Sequence, residues 1–405
     1  MNNNTNNNHY NKAIDILRSI PISIHCWQGD DVMGFEGVTG SAAGFAVTGQ
    51  YMGRARNPQE LMEDIEKVLS HLPGDNLRLN LHASYAITNG EGVERNRLEP
   101  RHFAPWVKFA KDNGIKLDFN PTLFAHPKAD ATLSSYDEGI RAYWVEHCIA
   151  CIKIAEYFAD ELGSYCGLNI WIPDGYKNEP VDRLTPRLLL KDSLDKIFEH
   201  RFDKSKVIVS LESKVFGIGI ESYTVGSHEF YLSYAMAKGL YPLIDNGHFH
   251  PTENVADKLS AIAPFFDKIP LHITRPMRWD SDHVIALDDN TKEIAREVVR
   301  LGHERFLIGL DFFDASINRL LAWVLGVRNV QKALLAALLS DFDKLEGLQR
   351  AGDMGGLMAY MEDEKMMPIG DAWGQFCEAC NKHSSNAAIH KDLMQYEQDT
   401  LSKRR

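Results

Sequence analysis

Four apolar runs in this chain end in residues that bind metal ions. Glu212 follows Val207-Ile208-Val209-Ser210-Leu211, Asp245 follows Tyr241-Pro242-Leu243-Ile244, His272 follows Leu271, and Asp311 follows Phe306-Leu307-Ile308-Gly309-Leu310. His248 stands three residues beyond Asp245, and Asp280 and Asp282 flank Ser281. Carboxylates mixed with imidazoles suit Mn2+, Mg2+, Co2+ or Zn2+. In a parallel (β/α) barrel the C-terminal tips of the strands converge on one mouth, where catalysis sits.

On an extended segment, Asp280 and Asp282 point to the same side and can grip one cation; the alternative is a turn with solvated acids. An EF-hand is excluded, because Ile285 stands where that loop needs Gly and Thr291 where it needs its closing Glu. Gly247 permits a tight turn between Asp245 and His248. Five carboxylates (Glu212, Asp245, Asp280, Asp282, Asp311) repel one another unless compensated, and two divalent ions together with Lys214 bring the sum near neutrality. Lys214, two residues past Glu212, either bonds a substrate oxygen or salt-bridges to one of the acids. Trp27, His82, Phe124 and Trp171 lie at or shortly after the ends of the first four strands. They are candidate walls for a sugar, whose C–H surface an aromatic face covers.

The elements needed to hold these tips are legible. Eight strand-like runs occur in order: Ile22 to Trp27, Leu77 to His82, Lys116 to Asn120, Leu168 to Ile172, Val207 to Glu212, Tyr241 to Asp245, Pro270 to Thr274, and Phe306 to Asp311. Helical patterns separate them, among them Pro58 to Leu72, Gly139 to Leu162, Pro186 to His200, Ser222 to Lys238, Thr252 to Phe265 and Thr291 to Leu301. Such alternation predicts an α/β fold, a (β/α)8 TIM barrel over residues 12–325. The Asn-rich residues 1–11 read as a disordered tail. Residues 326–405, entered through a long apolar helix from Ile317 to Leu339, read as a helical C-terminal extension that makes oligomer contacts.

With 44% hydrophobic residues the chain can bury a large core, and its net charge of −12 and pI near 5.7 disfavour nucleic acid as a partner. No run approaches the roughly 18 uninterrupted apolar residues of a membrane span, so a soluble, cytoplasmic protein without membrane association is expected. Cys148 with Cys151, and Cys377 with Cys380, copy the spacing of a zinc or redox pair, but both interrupt helical patterns and are expected as buried thiols. Cys26 and Cys166 carry no functional expectation. Walker and dinucleotide glycine loops are absent, so nothing asks for ATP or NAD.

The stretches IHCWQGDDV from Ile24, LNLHASY from Leu79, LDFNPTLFAHP from Leu117, NIWIPDG from Asn169, ESKVFGIGIESYTVGS from Glu212, GHFHPTE from Gly247, RWDSDHV from Arg278 and GLDFFDASINR from Gly309 resemble the L-rhamnose isomerase family over nearly the whole chain. The resemblance implies an intramolecular oxidoreductase, an aldose–ketose isomerase acting on L-rhamnose, related in site design to xylose isomerase and assembled as a homotetramer. It implies a structural metal held by Glu212, Asp245, His272 and Asp311. A catalytic Mn2+ would be held by His248, Asp280 and Asp282, with Asp245 bridging and the other site open to Mn2+, Zn2+, Co2+ or Mg2+. His82 would assist ring opening, Trp27, Phe124 and Trp171 would wall the sugar, and Lys214 would bond its carbonyl end. Hydrogen would move between C1 and C2 by metal-mediated hydride shift, or by an enediol route with Asp311 assisting a base. The alternatives are a ketose epimerase, an isomerase of another aldose or a metal-dependent hydrolase on the same barrel, and a sugar-binding protein without turnover.

Overall fold

The computed structural model describes residues 3–26, 35, 53–215, 221–277, 282–312 and 317–404. Eight parallel strands close a barrel: β1 (Ile22–His25), β2 (Leu77–His82), β3 (Lys116–Asn120), β4 (Cys166–Ile170), β6 (Val207–Glu212), β8 (Tyr241–Asp245), β9 (Ile269–Ile273) and β10 (Phe306–Leu310). The chain-order labels β5 (Gly175–Tyr176) and β7 (Tyr223–Thr224) belong to a small antiparallel pair outside the barrel. Around the barrel closure, β1 pairs with β10 and β2, and β10 with β9. The register that matters is at the mouth: Asp245 faces His272 across β8 and β9, and His272 faces Gly309 across β9 and β10. Ligand-bearing positions on neighbouring strands therefore stand at one level.

Every residue of β2, β6 and β9 is buried, as expected for strands covered by side chains inside and helices outside. Helices α2 (Pro58–Leu69), α3 (Ala104–Asn113), α4 (Glu138–Leu162), α5 (Thr185–Glu199), α6 (His228–Lys238), α7 (Val255–Ile262), α8 (Asp289–Leu301) and α9 (Arg319–Leu339) follow the barrel strands. Most are started by short polar side chains. Asn57 accepts from the Glu60 amide, Asp137 from Ile140 and Asp288 from Thr291, each filling a donor the helix itself cannot pair.

The differences from sequence expectation have local causes. Helix α6 starts at His228 rather than Ser222, because Tyr223 and Thr224 pair with β5. Helix α7 starts at Val255 with Asn254 as its cap, not at Thr252. Helix α5 starts at Thr185, where Asp182 accepts from the Leu184 and Thr185 amides. The Asn-rich segment expected as a tail enters α1 (Asn3–Ser19). The buried face of Ala13, Ile14 and Leu17 anchors that helix, and a helix already anchored extends cheaply into residues of indifferent propensity.

The boundary expected at 325/326 falls inside α9, which packs on α8, α2, α1 and β1 as the barrel's eighth helix. Among the described residues α9 alone is long and apolar enough to cross a membrane, but 72% of its most apolar stretch is buried within the protein. Four shorter helices follow: α10 (Phe342–Arg350), α11 (Met354–Glu364), α12 (Ile369–Ala379) and α13 (Asn386–Asp399). Cys148, Cys151, Cys166 and Cys377 are buried free thiols, and Cys380 is half-buried. This agrees with thiols that serve packing.

Candidate metal centre at the barrel mouth

Glu212, Asp245, His272 and Asp311 each offer a ligating atom, and these atoms all lie within 4.8 Å of one another. The His272 Nδ1 atom is central, 3.3 Å from Glu212 Oε1, 3.6 Å from Asp245 Oδ2 and 3.4 Å from Asp311 Oδ2. Ligands bound about 2.1 Å from a tetrahedral ion stand about 3.4 Å apart, so these separations fit one cation. Oδ2 of Asp245 and Oδ1 of Asp311 are buried and accept no hydrogen bond. Buried carboxylate oxygens without donors are the groups a divalent ion satisfies.

The electrostatics agree. Burial alone would lower the His272 pKa, yet the Glu212 carboxylate and the neighbouring Asp245 and Asp311 carboxylates carry it well above its ordinary value. Burial alone would raise Glu212, but the His272 and His248 rings hold it well below the usual carboxylate range. Three acids around one ring call for positive charge at their centre.

Several amides that sequence reasoning passed over position these ligands. Asn169, at the end of β4, donates through Nδ2 to Glu212 Oε2 and accepts from the Ser210 hydroxyl (3.3 Å). One Glu212 oxygen is thereby held back while Oε1 faces His272. Asn246 ties β8 to β9, donating to the Thr274 carbonyl (3.0 Å) and accepting from its amide (2.7 Å). The Gly247 amide donates to Asp245 Oδ1 (2.7 Å) in the tight turn expected there. At Gly309 a Cβ would come within 2.7 Å of His272 Cδ2, so only glycine leaves room for the ring.

The second expected set is only partly described. His248 is buried, with Nδ1 3.2 Å from Glu212 Oε1. Asp282 is buried beside the Gly247 turn, where a Cβ on Gly247 would meet its Oδ1 at 3.1 Å and Asp245 Oδ1 at 3.2 Å. Its backbone φ is +37°, so the extended geometry assumed for the two aspartates does not hold at Asp282. Asp280 lies outside the described residues, as does Trp27.

His82, Phe124 and Trp171 do come together. The His82 and Phe124 rings are 6.1 Å apart, and Phe124 meets Trp171 edge-on at 5.4 Å. Buried Arg95, unnoticed in the sequence, holds the loop that carries Phe124 by donating to the carbonyls of Thr122, Phe124 (2.7 Å) and Ala125 (3.1 Å). The Thr122 hydroxyl gives its proton to the Asn120 carbonyl (3.2 Å) and accepts the Ala83 amide (3.1 Å). It lies 3.0 Å from His82 Nδ1 and so anchors that edge of the ring.

Burial and the nearby His272 ring keep His82 well below its usual pKa, hence neutral. Its Nε2 lies 3.0 Å from His25 Nε2, and His25 in turn lies 3.4 Å from Asp311 Oδ1. Among the described residues Lys214 is not seen paired with any of the five acids expected at the mouth. Its ammonium pairs with Glu221, which is outside the ligand set, and donates to the Pro173 carbonyl (2.8 Å), 5.7 Å over the Trp171 ring.

The L-rhamnose isomerase (RhaA) family model matches residues 5–404. L-rhamnose isomerases of Mannheimia succiniciproducens, Listeria monocytogenes serotype 4a and Salmonella newport are 50%, 48% and 48% identical to the chain, each alignment covering 97% of it and 94% of the relative. With a closed parallel barrel, a buried ligand quartet at its mouth and this match along nearly its full length, the chain belongs to the L-rhamnose isomerase family.

Proposed function

We propose that the protein interconverts L-rhamnose and L-rhamnulose with Mn2+ at its catalytic position. The observation that carries this is the complete Glu212–Asp245–His272–Asp311 quartet in a chain of this family. Those four residues would hold one divalent ion. His248 and Asp282, with Asp280, would hold the catalytic one, Asp245 being shared. The quartet's ion would be Mn2+, Zn2+, Co2+ or Mg2+. Bound divalent metal supplies Lewis-acid polarisation of the sugar's carbonyl and neighbouring hydroxyl oxygens.

The chain's own residues do the rest. Phe124 and Trp171 offer apolar faces to the C–H surface of the sugar and exclude water. His82, kept neutral by burial and anchored by Thr122, would assist ring opening by taking a hydroxyl proton. Asn169 and Asn246 hold the ligand tips in register, so the oxygens at C1 and C2 meet fixed groups. Hydrogen then passes between C1 and C2 within a pocket walled off from solvent, as a hydride shift suits. Lys214, braced by Glu221, stiffens the Trp171 wall and acts on the substrate's carbonyl end only through that wall. The helices after α9 would join copies of the chain into a cytoplasmic homotetramer.

The test is ketose formation from L-rhamnose by chelator-stripped protein before and after adding Mn2+, with L-mannose and D-xylose alongside. Activity restored by Mn2+ and highest on L-rhamnose is expected. Turnover of no aldose would overturn the proposal and turn attention to ketose epimerisation.

A further inference from the structure

Beside the carboxylate quartet lies a second group of ligating atoms of a different chemical kind. His25, Cys26 and His82 each present one, and the three atoms lie within 4.8 Å of one another. The His25 and His82 Nε2 atoms are 3.0 Å apart, close to the roughly 3.3 Å separating two imidazole nitrogens on one tetrahedral ion. All three side chains are buried, with His25 2% exposed and the other two fully enclosed. Asp311 Oδ1, 3.4 Å from His25 Nε2, is within reach as a fourth ligand.

Two imidazoles and a sulfur select soft cations, whereas the quartet's three carboxylates select hard ones. We propose that His25, Cys26 and His82 form a separate site for thiophilic cations of the Cd2+, Zn2+ and Cu+ class, and that an ion seated there shuts the sugar pocket by occupying His82. The shutdown rests on the isomerase reading of His82; the binding does not. Seating a divalent ion replaces the thiol proton, Cys–SH + M2+ → Cys–S–M+ + H+, with the proton leaving to solvent and no change of oxidation state.

With each ring's proton on Nδ1, the facing Nε2 atoms of His25 and His82 both turn lone pairs to one ion. Mn2+ and Mg2+ prefer oxygen ligands and bind sulfur weakly, so they favour the quartet. Asp311 is shared, because its other oxygen faces His272 at 3.4 Å. One carboxylate therefore faces both sites, a separate oxygen to each.

The experiment adds Cd2+ to Mn2+-loaded protein and reads the ultraviolet thiolate-to-cadmium band together with isomerase rate, for the unaltered chain, Cys26→Ser and Cys380→Ser. Cys380→Ser controls for the most exposed thiol. At Cd2+ about ten times its dissociation constant, the unaltered chain and Cys380→Ser should show the band and lose rate about tenfold by mass action. Cys26→Ser should show neither change while keeping its basal rate.

X-ray absorption at the cadmium edge of the unaltered protein should find one sulfur among nitrogen ligands, a readout that needs no variant to fold. A band that persists in Cys26→Ser, or a shell without sulfur, overturns the site. A band lost without any difference in rate overturns the shutdown alone. A chain that isomerises no aldose would sink the proposed function, yet band and shell would still decide the metal site.

Discussion

Replacing Asn169 with leucine tests whether the amide beside Glu212 sets metal affinity. Leucine matches asparagine in shape, so the change removes the Nδ2 donor to Glu212 Oε2 and the acceptor for Ser210 while leaving little room for a rescuing water. A hydrogen bond to a charged group contributes about 1.5–3 kcal/mol, and losing a partner behind a metal ligand typically costs about 10–100-fold in affinity, or about 1.4–2.8 kcal/mol. Both routes meet near 2 kcal/mol, about a thirtyfold loss. Glu212 keeps its Oε1 contacts with His248 and His272, so it stays in the site but free to rotate about them. The assay is competition of chelator-stripped protein with a metal indicator for Mn2+, alongside melting with and without the ion. An affinity within about threefold of the unaltered chain would refute the idea that Asn169 orients the ligand, since even the smaller cost predicts about tenfold.

Lys214→Met leaves a nearly enclosed Glu221 without its cation and should cost about 3–5 kcal/mol of stability, most of it recovered in Lys214→Met/Glu221→Gln. Turnover recovered in the double variant marks Lys214 as a brace, whereas a stable, metal-loaded but inactive double variant refutes the brace and restores a substrate role. Asp282→Asn keeps a residue that tolerates a φ of +37° while removing the carboxylate; isomerisation should be lost with melting little changed, and retained activity would remove Asp282 from the catalytic ligands. Gly309→Ala drives a Cβ to 2.7 Å from the His272 ring, so Mn2+ affinity should fall while the barrel still folds, an outcome that unchanged affinity would contradict.

Burial holds His147 down at about 4 from 6.5, despite carbonyl oxygens of Arg95 and Pro121 2.7 and 2.6 Å from its ring nitrogens. Between those values the unfolded ring carries the extra proton, so the neutral ring's contribution is full above 6.5 and fades as pH falls, by about 3 kcal/mol near pH 4. His147→Gln should flatten that part of the denaturation curve, and parallel curves would sink the assignment.

The barrel was legible because most strands are short, largely apolar runs, and in four of them a polar residue at or next to the end marks both the strand's tip and the ligand. Four of the seven proposed ligands stand at such breaks and came out within one ion's reach. What the pattern missed lies off it. A pair of two-residue strands, β5 and β7, has no periodicity to read, yet it displaces the start of α6 and brings Glu221 onto Lys214. Asn169 and Asn246 sit among apolar neighbours and look like ordinary strand-end amides; only the register across β6, β8 and β9 reveals what they hold. Spacing put Asp280 and Asp282 on one side of an extended segment; the positive φ at Asp282 is a backbone turn that spacing does not encode, and Asp280 lies outside the described residues. A signal for the soft-ligand group was in plain view, since His25 ends β1 just as Asp245 ends β8, and Cys26 follows it.

The two ligand groups differ in what fixes them. Glu212, Asp245 and His272 are held by strand registers set when the barrel closes, so the barrel itself bears the cost of crowding their charges. His248 and Asp282 stand on turns after β8 and β9, next to the Gly247 amide's bond to Asp245 and the Asn246 bridge to Thr274. A ligand fixed by the ladder keeps its geometry with or without an ion, and one fixed by a turn can adjust to what the ion is doing. Asp311, just past the end of β10, faces His272 through one oxygen and His25 through the other, and so belongs to both neighbourhoods. A change there should disturb the quartet and the sugar pocket together, whereas a change at Asn169 should reach the pocket only through the metal.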